Sequence, residues 1–129
     1  MVSEASIRYF HDDHGYHDVA NLADETVDYE WQTAHQPGAR FAPASFVSGH
    51  LDSEIDLAAA LRDMDVPVTL VWGQEAEMPP LSTGRDLAEE ADVRLVSIGE
   101  SALVPYAEHP REFVDVVLGA ADDRATVDR

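Results

Sequence analysis

The sequence predicts an α/β protein: a helical region followed by a parallel strand–helix–strand–helix unit. Up to about residue 65, apolar residues recur at helical spacing between polar turns. From Val66 the pattern changes to short continuous apolar runs, Val66 to Trp72 and Val93 to Ile98, with one helical segment between them. A strand, a helix and a strand within about thirty residues are the pattern of a βαβ unit, expected to be parallel with a right-handed crossover.

Each element has a local reason. Ser3 to Phe10 reads as a short helix with Ile7 and Phe10 on one face. The following segment, His11 to Asp18, is too polar and too interrupted by Gly15 to extend that periodicity. Asp24 is placed to cap a helix running to about His35, with Val27, Trp31 and Ala34 as its apolar stripe. Gln36-Pro37-Gly38 ends it. Pro43 suits a first helical turn, with Ala44 to Leu51 helical until Gly49 intervenes. Asp52 or Ser53 then caps a run whose Ile55, Ala58, Leu61 and Met64 would face a core.

Val66 to Trp72 has the unbroken apolar character of a strand covered on both faces. Pro79 and Pro80 pre-set the start of a helix from Leu81 to Ala91, burying Leu87, Ala88 and Ala91. After the strand from Val93 to Ile98, Pro110 opens a last helix carrying Phe113, Val116 and Val117, stopped by Gly119. Residues 120–129 read as a polar tail.

Charge narrows the setting. Of the ionisable residues, 26 are acidic and 8 are basic, all of the latter arginine, for a net charge of -18. Recurrent Val, Leu, Ile, Phe and Trp argue against disorder, so the charge reads as a carboxylate-covered surface, as in halophilic cytoplasmic proteins. Such a surface repels phosphate backbones and anionic membranes, so neither a nucleic acid nor a membrane is expected as a partner. Without cysteine there is no disulfide framework, thiolate nucleophile or sulfur-held metal, and nothing calls for a cofactor. No apolar run approaches a membrane span and the start does not resemble a signal peptide, so a cytoplasmic location is expected.

The run Val66-Pro-Val-Thr-Leu-Val-Trp-Gly73 and the helix start Glu108-His109-Pro110 resemble the closing third of an α/β-hydrolase. The segment Tyr29 to Gly49, with Thr33-Ala-His-Gln-Pro-Gly38 and Phe41-Ala-Pro-Ala-Ser-Phe-Val-Ser-Gly49, resembles the lid of a subgroup found in halophilic archaea and some bacteria. The resemblance implies a partial α/β-hydrolase fold: a lid-like region at residues 1–65, a C-terminal core part at 66–119, and the tail. It also implies that the loops after the two strands should hold a catalytic acid and a catalytic histidine. Counting along the chain puts the acid position on Ala76, with Glu75 and Glu77 on either side as possible substitutes, and the histidine position on Leu103. The family's Gly-x-Ser-x-Gly nucleophile turn is absent: Leu81-Ser82-Thr83-Gly84 lacks the leading glycine, and Val47-Ser48-Gly49 lacks the preceding strand. Alanine cannot fix a tautomer and leucine cannot accept a proton, so the chain is expected to be a truncated or split portion without independent catalysis.

Two other constellations bear on function. His11, His14 and His17 are spaced by three among Asp12, Asp13 and Asp18, types that can share a metal, although an acidic loop is more often simply solvated. His35, Gln36 and Arg40 flank the Pro37-Gly38 turn and could face a ligand; the plainer reading is a helix stop with a salt-bridging arginine. Finally, two strands make a poor sheet, and so apolar a strand is a poor open edge. The expected partner is a polypeptide carrying the N-terminal half of such a fold, or a second copy in a homodimer. The alternative function is accordingly an interaction subunit that completes a hydrolase-like partner.

Overall fold

The computed structural model describes residues 2–50 and 54–127, with side chains as far as Gly119. It has the expected architecture, a helical region followed by a parallel strand–helix–strand–helix unit. Helix α1, Glu4–Phe10, starts at a reciprocal capping box. The Ser3 hydroxyl accepts from the Ser6 backbone N–H at 3.1 Å, and Ser6 Oγ accepts from the Ser3 N–H at 2.9 Å. Ile7 is buried as expected, whereas Phe10 is exposed.

The chain does not leave the helix at His11. Residues His11–Gly15 form a π-helical turn, closed by the Tyr16 N–H donating to the His11 carbonyl at 2.8 Å. Gly15 permits this turn because a Cβ there would collide with the His11 ring. A 3₁₀ turn, Val19–Asn21, follows.

Helix α2, Asp24–Ala34, is preceded by Ala23 in the capping position, one residue before the expected cap. Asp24 instead occupies the first turn, where its carboxylate suits the helix dipole and pairs with Arg8 at 2.6 Å. Of its stripe, Val27 is fully buried and Ala34 half-buried, while Trp31 lies at the surface. Helix α3, Phe41–Val47, carries Pro43 in its first turn and ends before Gly49, whose φ of 74° is the left-handed conformation that stops helices.

The expected caps Asp52 and Ser53 lie outside the described residues. Helix α4 is short, Leu57–Arg62, and is capped by Asp56, which accepts from the Ala59 N–H at 2.9 Å. Only Ala58 of the expected stripe is buried; Ile55 and Met64 fall beyond the helix ends and are 70% and 51% exposed.

Strands β1, Thr69–Gly73, and β2, Arg94–Ile98, pair in parallel, Thr69 opposite Arg94 and Gly73 opposite Ile98. Helix α5, Leu81–Ala91, connects them and packs on both. It buries Ala88 and Ala91 as expected, with Leu81 and Gly84, while Leu87 is half-buried. The expectation that β1 is covered on both faces fails. Val68 to Trp72 are all half-buried, because among the described residues β2 is the only strand beside β1.

Past β2 lie a short helix α6, Pro105–Glu108, and α7, Pro110–Val127. Gly119 does not stop α7. A helix-interior glycine costs only about 1 kcal/mol and ends a helix when it turns left-handed, which Gly119 does not do.

One core cluster, Ile7, Tyr16, Leu22 and Val27, is closed by Val104 and Ala107, so α1, the π turn and α2 pack against the segment after β2. Among the described residues no helix is long and apolar enough to cross a membrane.

Candidate functional site

Two loops leave the C-terminal ends of the strands and are zipped together. Gln74 N–H donates to the Ile98 carbonyl at 2.8 Å and Glu75 N–H to the Ser101 carbonyl at 2.9 Å. The Glu75 carboxylate accepts the Ser101 N–H at 2.9 Å in return. Such closeness requires Gly73, since a Cβ there would fall on the Ala102 carbonyl oxygen. Trp72 folds the first loop back: its indole N–H donates to the Pro79 carbonyl at 3.1 Å, and its ring lies against Gly84, where a Cβ would come within 2.8 Å.

These contacts frame an apolar pocket of about 180 Å³, lined by Val71, Trp72, Gly73 and Ala76 on one side and by Ala102, Leu103 and Pro105 on the other. Ala76 is buried and Leu103 half-exposed. The structure thus brings together the two positions that counting along the chain singled out, although 27 residues separate them in sequence. Neither side chain can donate, accept or transfer a proton. Ser101 neighbours the lining but is 0% exposed, closed to any substrate.

A second cavity of about 220 Å³ meets the first at Ala102 and has the opposite character. Asp13, His14, Tyr16 and His17 come to it from the π turn and the residues after it, Glu75 and Glu77 from the loop after β1. Sequence reasoning kept the histidines and these glutamates apart, because nothing local signals that the π turn packs beside that loop. Burial, reinforced by the nearby Tyr106, Glu108 and Glu30, pushes the Tyr16 phenol above the usual tyrosine value.

The three spaced histidines do not converge. His11 is buried, and its Nε2 donates to both Glu30 oxygens, at 2.9 and 3.0 Å, tying the π turn to α2. His14 Nε2 pairs with Asp13 at 3.1 Å, and His17 is exposed. Among the described residues no group of three or more His, Asp or Glu is arranged to hold a metal ion.

The turn candidates separate as well. His35 stacks on Trp31 with ring centres 4.1 Å apart and bonds the Trp31 carbonyl through Nδ1 at 2.7 Å. Gln36 lines an apolar groove between α2 and α3, and Arg40 lies over the Phe41 ring, 5.2 Å from its centre, rather than in the expected salt bridge. His109 sits between α6 and α7, its Nε2 donating to the Glu100 carbonyl at 2.7 Å.

One residue that the sequence marked only as part of a helix start ties together the segments around both cavities. Glu108 is buried, and its carboxylate accepts three backbone N–H groups: His17 at 2.8 Å and Asp18 at 3.1 Å on one oxygen, Ala102 at 2.8 Å on the other. It joins the N-terminal segment, α6 and the loop after β2 at one point. Compared with models of protein families, with curated proteins and with solved structures, the chain finds no match.

Proposed function

We propose that this chain is the C-terminal portion of an α/β-hydrolase-like fold, residues 1–65 serving as its lid region and 66–119 as the last part of its core, without independent catalysis. The observation that carries this reading is the convergence of Ala76 and Leu103 on one pocket at the strand ends. In a hydrolase of this type the acid and the histidine come together there, so the spatial meeting of the two positions supports the alignment made along the chain. The chemistry of the pocket supports the loss of catalysis. An activated serine needs a base in hydrogen-bond reach and a third group to orient that base, and the pocket offers an alanine and a leucine. Glu75 is a poor substitute acid, since its carboxylate is engaged by the Ser101 N–H. Glu77 faces the polar cavity, on the other side of Ala102.

The test is direct. Purified protein, in dilute buffer and in molar KCl, should neither hydrolyse short-chain p-nitrophenyl esters above a Ser82→Ala, Ser101→Ala control nor react with a serine-directed fluorophosphonate. Turnover together with labelling would overturn the non-catalytic reading. The half-buried state of β1 favours a second reading, that of an interaction subunit completing a partner of the same fold.

A further inference from the structure

We infer that the outer edge of β1 is a docking site for one extended segment of another polypeptide, carrying an apolar side chain for the pocket and Lys or Arg at both ends. The inference rests on the second reading above and gives it a partner chemistry. Consecutive residues of a strand face opposite sides, yet Val71 and Trp72 both line the pocket and no residue of β2 does. The pocket therefore wraps the edge of β1 that faces away from β2. Among the described residues, the backbone of Thr69 to Trp72 makes its hydrogen bonds with β2 alone, so the groups turned the other way are ready for an added strand. Strand addition takes affinity from main-chain bonds and specificity from a side-chain pocket. At about 180 Å³ this pocket is well below the roughly 300–1,000 Å³ of small-molecule sites and suits one aliphatic or aromatic side chain.

Charge selects the occupant. Asp63 and Asp65 precede the edge, and Glu75 and Glu77 follow it, all exposed, with Glu75 also accepting the Ser101 N–H and both glutamates reaching the polar cavity. A second copy adding antiparallel about a two-fold axis would set the aspartates of each chain against the glutamates of the other, between bodies each carrying -18. A strand basic at both ends meets carboxylates in either direction.

A dye-labelled peptide with an alternating Val and Thr centre, one Leu and two Arg at each end, titrated with the full chain by fluorescence anisotropy in 0.15 M KCl, tests the proposal. Saturable binding is expected. It should weaken at least tenfold when the flanking Arg are replaced by Glu, and at least tenfold when alternate peptide nitrogens are methylated on the pairing side. Leu103→Trp, which fills the pocket, should weaken it at least tenfold with an unchanged circular dichroism spectrum. Equal binding of the methylated peptide, equal binding of the Glu-flanked peptide, or no binding of the Arg-flanked one would overturn the inference. Reversible dimerisation of the chain through β1, seen by sedimentation and abolished by Leu103→Trp, would overturn it in favour of a second copy. None of these outcomes touches the esterase result, so the two readings fail separately.

Discussion

Replacing Glu108 by glutamine removes one charge, keeps the shape, and puts an amide NH₂ where one carboxylate oxygen was. The amide oxygen can still accept from His17 and Asp18, but those two bonds change from charge-assisted to neutral, a loss of about 1 kcal/mol each. The NH₂ then faces the buried Ala102 N–H, donor against donor, which costs a further 1–3 kcal/mol, roughly. We expect Glu108→Gln to destabilise the fold by about 3–5 kcal/mol, a large share of the roughly 5–15 kcal/mol of an ordinary domain. Urea denaturation followed by circular dichroism measures it, with Glu89→Gln on the exposed face of α5 as a control of equal charge change, expected within about 0.5 kcal/mol of the parent. Amide exchange at His17, Asp18 and Ala102 should accelerate together in the Glu108 variant. A loss below about 0.5 kcal/mol, or exchange altered at Ala102 alone, would refute the claim that one carboxylate holds three segments.

Three further outcomes follow from the same geometry. Gly73→Ala should destabilise by about 3 kcal/mol in the same denaturation experiment, because the added methyl would fall on the backbone of Ser101 and Ala102, which the loop hydrogen bonds hold in place. Since Tyr16 holds its proton above the usual 10.0, the unfolded chain ionises first, and stability should fall as pH rises through 10 while staying unaffected below it; Tyr16→Phe should lessen that alkaline loss. At a net charge of -18, shortening the screening length from about 10 Å at 0.1 M salt to about 3 Å at 1 M should raise the midpoint of thermal unfolding, and a flat or falling midpoint in KCl would count against a self-repelling surface.

What was legible in the sequence was what is encoded locally. Pro79 and Pro80 do mark the start of α5 at Leu81, and Gln36-Pro37-Gly38 does end α2, because proline and glycine act through their own dihedral limits. The runs around β1 and β2 gave both strands within three residues at the N-terminal end. The misses arise where partners distant in sequence decide. His11 stays helical and buried because Glu30, nineteen residues away, receives its ring N–H. Ile55 and Met64 have the spacing of a core stripe, yet α4 is too short to bury them. In the candidate site, Ala76 and Leu103 came from counting along the hydrolase resemblance, and both line the apolar pocket. Such counting could not reach the role of Glu108, whose partners His17 and Asp18 lie 91 and 90 residues earlier.

The Glu108 clasp also bears on how the chain acquires its structure while it is being made. Ile7, Tyr16, Leu22 and Val27 leave the ribosome early, but Val104 and Ala107, which close their cluster, and the carboxylate that fastens His17 and Asp18 come some eighty residues later. At roughly 5–20 residues per second, that interval is about 4–16 s during which a greasy N-terminal segment has no home. Nascent-chain protection of residues 7–27 should therefore appear as a late, single step once residue 108 emerges, rather than growing with length.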